Sequence, residues 1–350
     1  MAGYHPHRLS SLADRGRESP LVLHAQKAQL QFSDTPPKTP KIESILAHEL
    51  VQEIGDLYIS LSRLALTSLA PSPEVNSLLT RLVELCIEPR RGEVVNHVFQ
   101  LKGTWTTLFC KLRSLCATAE CELENHWAQQ ILNSRHGSSA LSSEPKALLH
   151  SFPYYQNYLD LSRLECSTLE GFLLAHPIDS RPSPSRIAFI GSGPLPLTSF
   201  CMLNRYPKAS VHNIDRDIDA LRVSWELTMM LGYGERMTFE GRDVSSEKSC
   251  GELVEGHGEI ADWSKFDVVF LAALVGMDSQ SKIEILASLG KKLSPGTLVI
   301  ARSAHGLREV LYPALELSEE LHRIGFKILV VVHPWTKVVN SVIVLRVKGT

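Results

Sequence analysis

The sequence lacks any long apolar run, although it is apolar enough overall to fold. Of its 350 residues, 44% are hydrophobic, and the longest apolar stretches are too short to span a bilayer. The first residues, Met1 to Ser10, lack the apolar segment of a secretory signal. We therefore expect a folded protein of the cytoplasm with no membrane partner.

An excess of charge of either sign is also absent. The 36 basic and 38 acidic residues leave a net charge of −2, which indicates no basic surface for nucleic acid. The seven cysteines include no Cys-x-x-Cys pair, and no spaced set of His, Cys, Asp and Glu is typical of a metal site. We predict buried free thiols, no nucleic-acid partner and no protein-bound metal.

Proline content and hydrophobic spacing divide the chain into four parts. Residues 1–41 are rich in Ser, Pro, Arg and His, which is typical of a flexible tail. Residues 42–176 carry apolar side chains at helical spacing and predict an α-helical N-terminal domain. Residues 177–185 contain three prolines and are assigned as a linker. Residues 186–350 form the fourth part.

Short apolar runs alternate with helical patterns in this fourth part. This alternation predicts a doubly wound, mainly parallel sheet, so the expected class is an α/β, Rossmann-like transferase fold that follows a helical domain. The strand candidates are residues 186–190, 209–214, 237–240, 266–272, 297–301, 327–332 and 342–347.

A glycine-rich turn follows the first predicted strand. In Gly191-Ser-Gly-Pro-Leu-Pro196, the two glycines allow the backbone to approach a ligand, and Asp215 after the second strand is placed to accept the hydroxyls of a ribose. Pro196 replaces the third glycine of the dinucleotide fingerprint, which disfavours a bound pyrophosphate. A nucleoside cofactor without phosphates is therefore favoured over NAD.

Further cofactor contacts are predicted where the next strands end. Asp243, after the third strand, is placed for an adenine amino group, and the end of the fourth strand borders the same crevice. These positions together match the S-adenosylmethionine pocket of Rossmann-like transferases, whereas a tight turn with helix-capping aspartates is the alternative. The predicted cofactor-binding residues are Gly191, Ser192, Gly193, Pro194, Asp215, Asp243, Val244, Leu271, Ala272 and Ala273.

Three sequence blocks are more specific than a fold. They are Ile187-Ala-Phe-Ile-Gly-Ser-Gly-Pro-Leu-Pro-Leu-Thr-Ser199, Asp267-Val-Val-Phe-Leu-Ala-Ala-Leu-Val-Gly-Met-Asp278 and Arg302-Ser-Ala-His-Gly-Leu-Arg308. Motif for motif they resemble nicotianamine synthase, and the resemblance covers about residues 51–347. The Ser-rich stretch after Asn133 and residues 247–262 look like insertions in loops relative to that family.

The resemblance implies that S-adenosylmethionine is the substrate as well as the cofactor. Enzymes of this family condense three S-adenosylmethionine molecules by aminocarboxypropyl transfer, forming nicotianamine, a metal chelator, and three methylthioadenosines. The γ-carbon of the amino-acid arm, and not the methyl group, must therefore face the attacking amine. We expect small-molecule substrates, and a homodimer is one option for the assembly.

Two glutamates are candidates to accept the proton of that amine, whose pKa is about 8. Glu120 and Glu124 lie four residues apart on a helical segment and share one face, whereas Glu122 points elsewhere. The resemblance makes Glu120 the first choice as catalytic residue and Glu124 the second. A solvated helix face is the alternative interpretation.

Tyrosines are the other catalytic candidates. Tyr154, beside Pro153, is predicted to hydrogen-bond the substrate amine or carboxylate while its ring packs on the cationic sulfonium. Tyr155 is a weaker candidate for substrate binding, and Tyr58 on the first helix is predicted to close the pocket. Aromatic residues at such a junction are otherwise often part of the core.

Three polar residues near the C-terminus complete the predicted substrate site. Arg302 follows a strand, and its guanidinium is suited to a bidentate contact with a substrate carboxylate. His305 and Asn340 are predicted to bind substrate as well. A structural role is the alternative for His305.

Other functions fit parts of this pattern. An ordinary methyltransferase would use the same pocket, because the pocket alone does not decide which S–C bond breaks. An opine-precursor synthase would stop after one or two aminocarboxypropyl transfers. A non-catalytic sensor would keep the fold and lose the acid and the tyrosine, yet Glu120 and Tyr154 are present.

Overall fold

The computed structural model describes residues 41–101, 104–134, 144–173, 183–246, 251–254 and 260–349. The predicted tail apart from Lys41, most of the predicted linker and most of the Ser-rich stretch lie outside these residues. Residues Lys41–Thr350 form one compact unit, and its division into a helical and a Rossmann-like domain stays a prediction. Within the described ranges, no helix combines the length and the apolarity that a membrane span requires.

Six helices form the described part of the N-terminal half, as the helical spacing predicts. The second of these helices begins at residues that favour a helix start. The Ser72 hydroxyl caps it by accepting a hydrogen bond from the Val75 N–H at 3.1 Å, and Pro73 occupies the first turn. Buried apolar residues recur along these helices and pack into shared cores. The helices are α1 (Ile42–Leu64), α2 (Pro73–Ile87), α3 (Gly92–Gln100), α4 (Thr104–Asn133), α5 (Pro145–His150) and α6 (Tyr155–Leu173).

Among the residues that the structure describes, the C-terminal half is built on a sheet of eight strands in the order β4-β3-β2-β1-β5-β6-β8-β7. Strands β1, β2, β3, β5 and β6 are parallel, and β8 and β7 close one side antiparallel, which confirms the predicted α/β Rossmann-like fold. The strands are β1 (Arg186–Ile190), β2 (Ser210–Asp215), β3 (Met237–Gly241), β4 (Glu252–Leu253), β5 (Val268–Leu271), β6 (Leu298–Ser303), β7 (Phe326–Val332) and β8 (Ser341–Val347). The helices between them are α7 (Leu197–Arg205), α8 (Ile218–Leu231), α9 (Ser279–Gly290) and α10 (Glu319–Arg323).

Strand β4 lies in the segment that was expected to be a loop. Glu252 and Leu253 pair antiparallel with Gly241 and Glu240 at the edge of β3. The fully buried Glu240 carboxylate also accepts the Ala261 N–H at 2.7 Å, which ties the second end of this segment to the sheet. Two residues are too few to show the alternating pattern of a strand. This strand is therefore defined by its pairing with β3, and its sequence does not predict it.

The register of the parallel strands brings their carboxyl ends to one edge. Ile190 of β1 lies beside Ile214 of β2 and Leu271 of β5, and Asp215 lies beside Gly241 of β3. The residues that follow these strands are therefore neighbours in space although they are far apart in the chain. In sheets of this kind, ligands bind in the crevice outside this edge.

The helical half packs directly onto the sheet. Ala128 and Ile131 of α4 belong to the same buried cluster as Phe189 of β1 and Phe270 of β5. A second buried cluster joins α1 to α4 with residues after β6, such as Val310. Burial of apolar side chains therefore fixes α4 and α6 against the sheet.

A buried ion pair also joins the two halves. The Arg302 guanidinium at the end of β6 donates to both carboxylate oxygens of Glu165 in α6, at 2.7 Å from Nε and 3.0 Å from Nη2. Arg302 also donates to the Thr198 hydroxyl at 2.9 Å and lies over the Phe189 ring at 5.4 Å from its centroid. Glu165 is 0% exposed and Arg302 is 6% exposed, so neither charge is solvated by bulk water.

We expect Glu165→Gln to lower the free energy of unfolding by about 3–5 kcal/mol, because it leaves the Arg302 charge buried without a counter-ion. The matched control is Glu53→Gln, which breaks the exposed Arg81–Glu53 pair and should change the free energy of unfolding far less. Urea unfolding of both variants checks the difference.

The double variant Glu165→Leu with Arg302→Met separates charge from packing. It should recover most of the lost stability, since no buried charge then remains. Equal urea midpoints for Glu165→Gln and Glu53→Gln would contradict the assignment of this pair as a buried contact that stabilises the fold.

Candidate active site

The glycine-rich turn and Asp215 meet at the carboxyl edge of the sheet. Gly191 and Gly193 have φ angles of +84° and +62°, which favour glycine, and the Gly193 N–H donates to Asp215 Oδ2 at 2.9 Å. The Asp217 N–H donates to Asp215 Oδ1 at 3.1 Å. Burial raises the pKa of the Asp215 carboxyl. This acidic group therefore lies directly beside the turn.

The segment after β5 packs against the same turn. A Cβ atom on Gly191 would lie 3.0 Å from the Ala272 Cβ and would overlap Val275 Cγ2. Leu271 and Ala273 are buried on either side of Ala272. The predicted cofactor residues of β1 and β5 thus line one crevice, and the absence of a side chain at Gly191 lets the two segments approach.

The remaining predicted cofactor residues lie around this crevice. Asp243 follows β3, and its Oδ1 accepts hydrogen bonds from the Ser245 N–H at 2.9 Å and the Ser245 hydroxyl at 2.5 Å. Val244 is buried beside the ends of the strands. Ser192 and Pro194 are buried within the turn, and the Ser192 hydroxyl has no hydrogen-bond partner among the described residues.

Glu120 and Glu124 lie one turn apart on α4, and each meets a tyrosine. The Tyr312 hydroxyl donates to Glu120 Oε1, and the Tyr158 hydroxyl donates to Glu124 Oε1 at 2.5 Å. Burial raises the pKa of Glu120 to about 7, although Tyr312 and then Arg302 lower it. Both glutamates face the same interior space, as their spacing predicts.

Glu124 is the glutamate that reaches the cofactor turn. A Cβ atom on Gly193 would lie 2.8 Å from Glu124 Oε2, so this carboxyl and the turn are in direct contact. Burial raises the pKa of Glu124 to about 8, with further increases from Glu120 and Asp215 and decreases from Tyr158 and Arg302. A carboxyl group with such a pKa exchanges its proton near neutral pH.

The three predicted tyrosines occupy different places. The Tyr154 ring packs edge-on against Phe152 with centroids 6.0 Å apart, and its pKa is raised by burial and then by Glu120. Tyr58 is half-buried in the cluster of α1 to α4 that also contains Tyr312. Tyr155 instead lies on His150, with ring centroids 4.7 Å apart.

The groups that shift the pKa of Tyr155 differ from those that shift the pKa of Tyr154. Burial raises the pKa of Tyr155 first, and the next contributions come from Cys201 and Tyr233. Neither glutamate contributes. The substrate-binding role of Tyr155 stays a prediction, and the structure does not bring its side chain together with Glu120 and Glu124.

The three predicted C-terminal residues are also spread over different environments. The Arg302 guanidinium donates hydrogen bonds to Glu165 and Thr198, so the bidentate contact predicted for a substrate carboxylate is made with Glu165. The exposed His305 ring stacks on His333 with centroids 4.0 Å apart. Asn340 is buried, and its Nδ2 atom has no hydrogen-bond partner among the described residues, which leaves a donor available for a ligand.

Sequence reasoning missed two residues that define the site. Tyr158 lies one helical turn beyond Tyr154, so helical spacing is the signal that could have indicated it. Tyr312 is 192 residues from Glu120 in the chain, and no local pattern indicates that they meet. In the part of the chain that the structure describes, no group of three His, Cys, Asp or Glu side chains is placed to hold a metal ion.

Known proteins match this chain over most of its length. The family model described as nicotianamine synthase protein matches residues 43–350. Nicotianamine synthase 3 of Oryza sativa subsp. indica is 39% identical over 308 residues, which is 88% of this chain and 80% of the relative. Nicotianamine synthase of Solanum lycopersicum is 37% identical over 302 residues, which is 86% of this chain and 84% of the relative.

A solved structure shares the fold at low sequence identity. MtNAS in complex with MTA and tNA gives a TM-score of 0.64 at 20% identity, covering 89% of this chain and 100% of that chain. A mutant of MtNAS in complex with S-adenosylmethionine gives a TM-score of 0.61 at 21% identity, with the same coverage. The fold, the family model and the similar plant sequences agree, and the chain belongs to the nicotianamine synthase family.

Proposed function

We propose that this chain forms nicotianamine from three S-adenosylmethionine molecules by aminocarboxypropyl transfer, releasing three methylthioadenosines. The observation that carries the proposal is the contact between Glu124 and Gly193, since it supports an acid–base role for Glu124 beside the proposed nucleoside crevice. Family membership and the S-adenosylmethionine complex of a structural relative support the choice of substrate. Its cytoplasmic location and its assembly stay predictions.

The crevice at the carboxyl edge is assigned to the nucleoside part of the substrate. Asp215 at the end of β2 suits the ribose hydroxyls, because a buried carboxylate is a strong acceptor. Ala272 and Ala273 after β5 offer a flat, apolar wall for a purine ring, and Asp243 lies at the far side of the same edge. The amino-acid arm is proposed to point towards α4, because Glu124 of that helix lies against Gly193 of the turn.

The chemical step needs a neutral amine and a fixed electrophilic carbon. The lone pair of the attacking α-amino nitrogen forms a bond to the γ-carbon, the bond from that carbon to sulfur breaks, and its electron pair stays on sulfur to give a neutral thioether. The ammonium proton, whose pKa is about 8, must pass to a base of similar proton affinity. Glu120 and Glu124 have matching pKa values of about 7 and about 8.

The tyrosines hold these carboxyl groups in place. Tyr158 fixes Glu124 and Tyr312 fixes Glu120, so the oxygen that is not bonded to the phenol is free to meet an amine. Tyr154 is proposed to reach the same site and to pack on the sulfonium or the amine. The unpartnered Asn340 amide is proposed to bind a substrate carboxylate. The positive charge of Arg302 lowers the pKa of Glu124, and we propose that it moderates the effect of burial there.

The fate of the donor distinguishes the proposed reaction from methyl transfer. Purified protein incubated with S-adenosylmethionine should release methylthioadenosine and yield nicotianamine, measured by liquid chromatography and mass spectrometry. Release of S-adenosylhomocysteine would indicate a methyltransferase instead. A product with one or two aminocarboxypropyl groups would indicate an opine-precursor synthase.

We expect Glu120→Gln and Glu124→Gln each to lower kcat by about 100-fold or more, because a Gln side chain accepts no proton. Binding of S-adenosylmethionine, measured by calorimetry, should change little. The matched control is Glu122→Gln on the same helix, whose carboxylate accepts the Ser68 hydroxyl at 2.9 Å and should not affect kcat. If both Gln variants kept the unmodified kcat, the acid–base assignment would be wrong.

The rate should increase with pH across the titration of the two glutamates. Because their pKa values are raised, the ionised form that accepts a proton appears only as the pH passes about 7 and about 8. Profiles of kcat/KM from about pH 6 to about pH 9 should therefore rise, and the Glu124→Gln profile should lose its upper step. A flat or falling profile over this range would refute a base with these pKa values.

A further inference from the structure

Lys282 of α9 is fully buried outside the glutamate site. Its side chain is 0% exposed, whereas lysines are almost never fully buried unless they are paired. Burial lowers the pKa of its amine to about 7, although Asp278 raises it. The reaction proposed above does not use this residue, so its burial needs a separate explanation.

The Lys282 amine binds the backbone of the segment after β5. Its Nζ donates to the Ala273 carbonyl at 2.7 Å and to the Val275 carbonyl at 2.8 Å. These two bonds require only two N–H groups, which both the protonated and the neutral amine provide. The contact therefore persists on either side of the pKa.

The segment is shaped so that the lysine can reach it. Gly276 has a φ of +76°, and a Cβ atom there would lie 2.8 Å from both the Cγ and the backbone N of Lys282. Asp278 then caps α9, because its Oδ1 accepts the Ser281 N–H at 2.7 Å. The segment is thus held at its end by the helix cap and in its middle by the buried amine.

The same segment forms one wall of the nucleoside crevice. The carbonyls that Lys282 binds flank the peptide that carries Val275, and Val275 Cγ2 fills the space that a Gly191 side chain would need. The Val275 N–H donates to the Ala272 carbonyl at 3.2 Å, which closes a tight turn. A shift of this turn would move Val275 and Ala272 relative to the glycine-rich turn.

We propose that Lys282 is a positioning residue for substrate binding, which holds residues 273–275 against Gly191 and so sets the width of the nucleoside crevice. The inference rests on the proposed use of S-adenosylmethionine. Lys282 is not assigned to any reacting group, because its two bonds go to backbone carbonyls of this segment. It should therefore control affinity for the nucleoside more than the rate of transfer.

The test compares Lys282→Met with the control Lys292→Met. Met keeps the unbranched apolar stem and removes both bonds to the segment, whereas Lys292 is an exposed lysine just after the same helix. We expect Lys282→Met to raise the Kd and KM for S-adenosylmethionine by about tenfold, since small displacements of a binding wall have large effects. The kcat at saturating substrate should fall less than KM rises, and Lys292→Met should behave as the unmodified protein.

A lower melting temperature with an unchanged Kd would overturn the proposal, because a purely structural lysine gives that result. If Lys282→Met does not fold, Val275→Ala tests the other side of the same contact while both lysine bonds remain. It should raise the Kd by up to about 15-fold, which is the limit for the loss of two buried methyl groups from a packed wall, and an unchanged Kd would again overturn the proposal. Failure of the unmodified protein to bind S-adenosylmethionine would refute the proposed function instead.

Discussion

Arg302 and Glu165 are both withdrawn from water where α6 crosses the end of β6. Removing each charge from water costs several kcal/mol, which only a well-formed pair with further hydrogen bonds offsets. Two bonds to Glu165, one to Thr198 and the Phe189 ring satisfy this requirement. Tyr158 lies two helical turns before Glu165 on the same face of α6. An ion pair that fixes the position of Glu165 therefore also fixes the position of Tyr158. The orientation of Glu124 therefore depends on this pair.

The pair also determines how much positive charge the glutamates experience. With Glu165 opposing it, the Arg302 charge only partly counteracts the effect of burial, so the pKa values of Glu120 and Glu124 stay high. A carboxyl group of ordinary pKa would be too weak a base for an ammonium ion. On the proposed function, the raised pKa brings the proton affinity of the carboxylate close to that of the substrate amine. Proton transfer between them then costs little free energy, which favours general-base catalysis.

Local patterns predicted the parts of the protein whose partners are near in sequence. The glycine-rich turn, the aspartates after the strands and the shared face of Glu120 and Glu124 follow from strand ends and from helical spacing. The partners of Arg302 and Glu120 could not be predicted, because Glu165 and Tyr312 are 137 and 192 residues away from them. Tyr154 and Tyr155 are adjacent where α6 begins, so their side chains point in different directions. Lys282 has the sequence context of an ordinary solvent-facing helical lysine.

The contact of Glu124 with Gly193 links occupancy of the crevice to ionisation. On the proposed function, a sulfonium cation arrives beside a carboxyl group that is still largely protonated at neutral pH, and the new positive charge favours the anion. Donor binding and proton release are then thermodynamically linked, so each promotes the other. The empty protein avoids the energetic penalty of a buried anion, and the donor itself generates the base that its own reaction consumes.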